Sequence, residues 1–270
     1  MMPTRLPEPT LSPLLPEHLI MVRAGRWFHE LPPALSEQLM ELAKVQYLAA
    51  GEALFLRGDP PTGLYAVLRG TLSVSGTEER FPQTDGSQAC SPVRNTLLTL
   101  LEPPSWFGEL SLFEHSKRTH DVHATEASCV LRIPLAPLLA WLDQHPEHWR
   151  SLALLVTLKL RQAMAALEDQ SLLAAPQRVA RRLVAMAEDY GLRLDTTQTR
   201  RMLNLSQEQL ARMLALSRQT TNQILQDLQQ RAMIRLYRGK LEILDLPGLR
   251  ASCRAPVPPE AEQAPRPLTG

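Results

Sequence analysis

The stretch LSQEQLARMLALSRQTTNQILQDLQQ, from Leu205 to Gln230, holds the most chemically specific spacing in the chain. Arg218, Gln219, Asn222 and Gln223 stand away from an apolar stripe of Ile224, Leu225 and Leu228. Such side chains make paired hydrogen bonds to base edges, arginine to guanine and glutamine or asparagine to adenine. Two helices are needed to present them. Ser206 is suited to cap the first, with Gln209 closing a capping box, and Leu210, Met213 and Leu214 give that helix its buried side. Ala215 and Leu216 form a tight turn, and Ser217 caps the second helix. This is a helix-turn-helix pattern. Its candidate DNA contacts are Gln207, Ser217, Arg218, Gln219, Thr220, Asn222 and Gln223. The following MIRLYRGKLEIL alternates on both sides of Arg238-Gly239-Lys240 and reads as a hairpin with a basic tip, a wing in which Arg238 and Lys240 meet phosphate. A solvated helix face is the ordinary meaning of such polar residues. The coincidence of two caps, a short turn and a basic hairpin favours DNA readout.

The charge distribution agrees. The net charge is +1, but residues 1–171 carry 14 Lys and Arg against 19 Asp and Glu, and residues 172–250 carry 13 against 7. A basic segment beside an acidic one points to a polyanionic partner for one part only. The 270 residues, 44% of them hydrophobic, are enough for two cores. Cys90, Cys129 and Cys253 are widely spaced and odd in number, which indicates neither a disulfide framework nor a metal knuckle and fits a reducing cytoplasm. The first twenty residues are broken by five prolines, without the apolar run of a signal peptide, and no later segment reaches the length of a membrane helix. A cytoplasmic protein with no membrane partner is expected. No Walker loop, HExxH, GxSxG or paired metal-ligand motif is present, so no catalytic residue and no metal ligand is assigned and no enzyme is expected.

Between Val45 and Pro134 short apolar runs (EALFL, LYAVL, TLSVS, NTLLTLLEPP, CVLRIP) alternate with turn residues such as Gly58-Asp59-Pro60-Pro61 and Arg69-Gly70. These predict a small antiparallel barrel or sandwich. Gly76 to Asn95 is polar and reads as a long hairpin loop of undefined purpose. From Glu147 a helical stripe of Trp149, Leu152, Val156, Leu160, Ala163 and Leu167 suits either a seam between two subunits or packing on the chain's own barrel. Pro176 opens another helix carrying Val179, Leu183, Val184, Met186 and Ala187 and ending near Gly191. The Pro-rich start and the stretch from Ala251 to Gly270 lack apolar periodicity and are expected to be disordered or loosely attached.

Taken together, these segments resemble the CRP/FNR family of transcription regulators over roughly residues 30–247. The best local match is LSRQTTNQIL, with Ser217-Arg218 where the family begins its recognition helix. Gln219 and Gln223 replace a base-reading Glu and Arg of the family's namesake, which leaves the half-site sequence open. The resemblance implies an α+β fold: a flexible N-terminus at 1–28, a cyclic-nucleotide-binding-type β-roll (jelly roll) at 29–145, a dimerisation helix at 146–171, a winged helix-turn-helix at 172–249 and a disordered tail at 250–270. It also implies a homodimer on a palindromic double-stranded DNA site, with RNA polymerase as a further partner.

Within the first domain, WFGELSLFEHSKRT resembles the phosphate-binding cassette of cyclic-nucleotide domains. The resemblance implies that Glu109 accepts from a ribose 2′-hydroxyl and that Arg118 neutralises the phosphate, assisted by Thr119 and the backbone near Gly108 and Leu110. A guanidinium forks onto an anion and a carboxylate selects a hydroxyl, so cyclic AMP or cyclic GMP is the leading effector. The loop before Arg118 is one residue shorter than in the namesake, and Ala163 and Met164 stand where it places Thr and Ser against the adenine. The competing reading is a ligand-free barrel in which Glu109 and Arg118 pair with each other. Other branches of the family use iron-sulfur clusters or haem. No cysteine precedes Cys90, and His120 and His123, three apart in a probable strand near His115, should point to opposite faces. A cyclic-nucleotide signalling subunit that does not touch DNA explains neither the capped helix pair nor the wing.

Overall fold

The computed structural model describes residues 11–77, 95–114, 116–188, 190, 192 and 202–254. It opens with β1 (Leu11–Ser12), α1 (Pro16–Arg23), α2 (Arg26–His29) and α3 (Pro33–Leu42). Strands β2 (Lys44–Leu48), β3 (Ala53–Phe55), β4 (Gly63–Arg69), β5 (Leu72–Thr77), β6 (Asn95–Leu101) and β7 (Trp106–Phe107) follow. The short α4 (Leu110–Glu114), β8 (Asp121–Ala124), β9 (Ser128–Pro134) and α5 (Leu135–Gln144) complete the first half.

The strands form two antiparallel sheets, ordered β1-β2-β9-β4-β7 and β3-β8-β5-β6. Strand β4 shows how the period of two builds two cores. Leu64, Ala66 and Leu68 enter a core under the helices, with Leu35 and Leu39 of α3 and Leu138 and Leu142 of α5, while Tyr65 and Val67 enter the space between the sheets with Phe55, Leu72 and Val122. A strand buried on both faces reads as an unbroken apolar run, which is what LYAVL is. Strands β5 and β6 pair from Leu72↔Leu101 to Thr77↔Asn95, so the expected hairpin is present, and residues 78–94 of its connection lie outside the described residues.

The expected flexible start at 1–28 is corrected for residues 11–28. Val22, Trp27 and Phe28 are buried in the first core. Pro16 pre-sets the first turn of α1, and Trp27 donates its indole N–H to the Ser151 carbonyl at 2.8 Å while packing edge-on against Trp106. Proline density concealed a helix whose apolar residues are few but large. Trp27→Ala is expected to lower stability by about 3–5 kcal/mol, read as an earlier urea midpoint by circular dichroism. An unchanged midpoint would place the N-terminal helices outside the cooperative unit.

A 3-10 turn (Pro146–His148) leads into α6 (Trp149–Leu172), about 36 Å long at the usual rise. Only its first part is buried, through Leu152 and Leu155. Leu160, Met164 and Leu167 are each about 60% exposed, an apolar stripe without cover in one chain.

The second half contains α7 (Ala175–Ala187), β10 (Met202–Leu203), α8 (Gln207–Met213), α9 (Arg218–Gln230), β11 (Ile234–Tyr237), β12 (Lys240–Ile243) and α10 (Leu246–Ala251). Helix α7 ends at Ala187, short of the expected Gly191, which is outside the described residues. A three-stranded sheet, β10-β12-β11, backs the helices. The expected disordered tail is corrected at its start: α10 runs to Ala251, and Gln177 donates to the Arg254 carbonyl at 3.0 Å. The two halves share apolar contacts, since Leu97 and Leu100 of β6 pack into the same core as Leu183, Leu210 and Leu225. Between them Arg181 pairs with Asp169 at 3.2 Å, and the Leu192 carbonyl accepts from the Arg26 N–H at 2.8 Å.

Candidate functional sites: a buried guanidinium and a helix-turn-helix

Arg118 lies 5% exposed at the edge of the sheet sandwich. Its Nη2 donates to the Gly63 carbonyl at 2.7 Å, and its Nη1 donates to the Gly108 carbonyl at 3.3 Å and to Ser111 Oγ at 3.2 Å. The Phe55 ring lies 4.3 Å from the guanidinium carbon. Its Nε–H has no acceptor among the described residues. Burial lowers its pKa from the ordinary guanidinium range, opposed by Tyr65 and by the Glu109 carboxylate, and it stays a cation at neutral pH. Gly108 is required here: its φ is +89°, and a Cβ would sit 3.1 Å from Arg118 Nη1 and from the Gly63 carbonyl.

Glu109 is also buried, and its partner is Lys159 of α6 at 2.6 Å. The direct Glu109–Arg118 pair expected of a ligand-free barrel is thus replaced by a bridge from the roll to the long helix. Gly108, Glu109, Leu110, Arg118, Thr119 and Ala163 line one cavity of about 1010 Å3. Met164 does not line it in the single chain and is 60% exposed on α6. Thr119 is exposed and its hydroxyl lies 2.8 Å from His120 Nδ1. Burial and the nearby Arg57 lower the His120 pKa, favouring the neutral ring at neutral pH. His120 precedes β8, His123 lies within it, and His115 is outside the described residues. No group of three His, Cys, Asp or Glu among the described residues is placed to hold a metal.

Sequence reasoning missed Lys159, Ser111 and Phe55. Lys159 carried a signal: it lies four residues before Ala163, hence on the same helix face. Ser111 lies within the quoted cassette, next to Leu110, and Phe55 carried no signal, because only the folding of β3 against the cassette brings it to Arg118.

The second site is built as its caps require. Ser206 Oγ accepts from the Gln209 N–H at 3.1 Å while the Ser206 N–H donates to Gln209 Oε1 at 2.8 Å. Ala215 makes the turn at φ +51°, and Ser217 Oγ accepts from the Thr220 N–H at 3.0 Å. Ile224, Leu225 and Leu228 anchor α9, leaving Arg218, Gln219, Thr220 and Gln223 exposed and Asn222 half-buried. The hydroxyls of Ser217 and Thr220 lie 2.7 Å apart and are engaged with each other. Arg218 is paired with Glu208 of α8 at 2.6 Å, a contact not anticipated. The wing strands pair from Ile234↔Ile243 to Tyr237↔Lys240, with Gly239 at φ +74°. Gln207, Arg238 and Lys240 line one recess of about 200 Å3 between α8 and the wing. The sites are thus a helix N-terminus, an amide-rich helix face and a basic hairpin on one small domain.

Thr221 at the back of α9 is fully buried, and its hydroxyl has no partner among the described residues. Thr221→Val is expected to raise stability by about 1 kcal/mol by removing an unsatisfied group without changing shape. A higher urea midpoint with unchanged DNA affinity is the check.

No helix among the described residues is long and apolar enough to cross a membrane. Residues 45–145 match the family model of the cyclic nucleotide-binding domain, and residues 177–252 that of the Crp-like helix-turn-helix domain. A CRP-like cAMP-activated global transcriptional regulator from Mycobacterium tuberculosis is 29% identical over 226 residues, covering 84% of this chain and 95% of that protein. A cyclic AMP receptor protein from Thermus thermophilus is 27% identical over 216 residues, covering 80% and 91%. Among solved structures, FixK2 from Bradyrhizobium japonicum superposes with a TM-score of 0.64 at 17% identity, covering 80% of this chain and 99% of that one, a likeness of fold. With both domain types in this order, joined by one long helix, the chain belongs to the CRP/FNR family and is a DNA-binding transcription regulator.

Proposed function

We propose that this regulator is switched by a cyclic nucleotide, cyclic AMP or cyclic GMP, held in the β-roll. The observation that carries the reading is Arg118: a buried cation lining a cavity, with an Nε–H that still has no acceptor among the described residues. A cyclic phosphate supplies that acceptor, and a ribose hydroxyl donates to Glu109. The names of the Mycobacterium and Thermus relatives, cAMP-activated and cyclic AMP receptor, agree with it. Because Glu109 sits on the roll and Lys159 on α6, engaging Glu109 acts directly on how the long helix packs.

The exposed stripe of Leu160, Met164 and Leu167 supports a homodimer formed along α6. Two recognition helices then read half-sites about one turn, ~34 Å, apart. Ser217, Arg218, Gln219, Thr220, Asn222 and Gln223 meet the major groove, with Gln207, Arg238 and Lys240 on the flanking phosphates. The regulator works in the cytoplasm, with RNA polymerase as its protein partner. A ligand-independent regulator is the second reading, favoured by the Glu109–Lys159 bridge, which is complete without a nucleotide.

The test is selection of duplexes from a random pool at fixed salt, with and without cyclic AMP or cyclic GMP, beside calorimetry. Enrichment of a palindrome only with nucleotide is the expected result. The same palindrome without it favours the second reading, and absence of heat with both nucleotides removes the first.

A further inference from the structure

Strand β6 lies at the edge of its sheet, next to β5. Leu97 and Leu100 are three residues apart on it and would point to opposite faces of a regular strand. A bulge prevents that: Val74 pairs with Thr99 and Ser75 with Leu97, so Leu98 has no partner on β5. The extra residue turns the strand and re-aims its side chains. Leu97 and Leu100 both enter the core of the helix-turn-helix half, with Leu210 of α8 and Leu225 of α9, and are left 2% and 5% exposed. Leu101, the next residue, returns to the space between the two sheets. The roll thus gives up one step of its own ladder to make an apolar contact with the DNA-reading half.

Polar ties run beside that contact. The Arg26 N–H donates to the Leu192 carbonyl at 2.8 Å, Gln162 Nε2 of α6 donates to the Tyr190 carbonyl at 3.3 Å, and Arg181 pairs with Asp169 at 3.2 Å. The joint they span is short, since Leu173 and Ala174, both extended, separate α6 from α7. A few residues at element ends are enough to absorb a domain rotation. The reading half therefore has two references, its hinge on α6 and its dock on β6. In a dimer the seam shared by the two chains places the α9 helices, and half-sites about one turn, ~34 Å, apart require that placement. A dock that fixes each reading half to its own roll competes with it.

We propose that the β6 dock is an autoinhibitory latch: Leu97 and Leu100 hold the DNA-reading half against its own roll, and binding at both half-sites requires their release. Leu98 lines the cavity of Arg118, so the latch adjoins the candidate effector site. The inference rests on DNA reading by α9 in a dimer and holds whichever effector fills that cavity.

Anisotropy on the full chain without nucleotide, using the palindrome enriched from the random pool, tests it with Leu100→Ser and Arg26→Pro. Arg26 is the first residue of α2 and follows extended Gly25, a position where proline fits. That variant removes the N–H given to Leu192 and keeps the helix. Leu100→Ser is expected to raise nucleotide-free affinity about tenfold or more and Arg26→Pro about threefold, as loss of contacts made only in the closed state does. In the native chain, β6 amides are expected to exchange with solvent faster once the duplex is bound. Unchanged or lower affinity in either folded variant overturns the latch, as do β6 amides equally or better protected in the complex. If Leu100→Ser melts early, Arg26→Pro and the exchange measurement decide. Failure of the cyclic-nucleotide reading is distinguishable, as absence of heat with both nucleotides while the latch variants still gain affinity.

Discussion

Arg118→Gln is expected to cost about 2–5 kcal/mol of cyclic-nucleotide binding, the range for deleting one partner of a buried charge-assisted contact. The glutamine retains hydrogen-bonding capacity but no charge, and in this pocket the charge opposes the phosphate. A structural effect accompanies it, since Arg118 ties Gly63 of β4 to Gly108 and Ser111 of the cassette. Thermal melts beside calorimetry separate the two: a modest drop in midpoint with a large loss of heat is the expected pair. Native affinity for cyclic AMP and cyclic GMP in a folded Arg118→Gln chain would remove the cation from the binding site. Lys159→Met gives the complementary result. It leaves the phosphate contact intact but frees Glu109 from α6, so ligand affinity should change less than the dependence of DNA affinity on ligand.

Arg218→Ala is expected to lose about 1–3 kcal/mol of discrimination at one base pair of each half-site, the worth of a good bidentate base contact. Lys240→Ala should weaken every duplex by a similar factor and reduce the salt slope by about one, as a phosphate contact does. The two patterns differ in kind and are read from one anisotropy panel of single-base operator variants at several salt concentrations. Glu208 adds a further term. It holds Arg218 at 2.6 Å, with both groups largely exposed, so it orients the guanidinium at the start of α9 while presenting a negative charge beside DNA. Glu208→Gln should therefore raise affinity for all duplexes and narrow the gap between the best and second-best base at that position. A uniform loss of affinity in Arg218→Ala, with the base preference kept, would reassign Arg218 to the backbone.

The DNA-reading domain was legible almost residue by residue, because capping and turning are local. Ser206, Gln209, Ser217 and Thr220 lie within three residues of the groups they bond, and Ala215 lies in the turn it makes. The roll was legible as strands because apolar runs and glycine turns are also local signals. The N-terminal helices were not, since five early prolines outweigh a few large apolar residues in any compositional reading, and the burial of Trp27 depends on Trp106 and Ser151, far along the chain. Strands β7 and β10 were missed for a related reason: each has two residues and is defined by the strand it pairs with.

The sequence by itself determined the order of the domains, the helix-turn-helix with its exposed Arg218, Gln219 and Gln223, and the presence of Glu109 and Arg118 in one cassette. Those follow from hydrogen bonds and periodicities spanning a few residues. Tertiary structure alone decided that Glu109 meets Lys159 and not Arg118, that Ala163 lines the cavity while Met164 is exposed in the single chain, and that Leu97 and Leu100 join the core of the other half. Each of these depends on where an element distant in sequence comes to rest. That position is set by the packing of whole faces, to which no single short segment holds the answer.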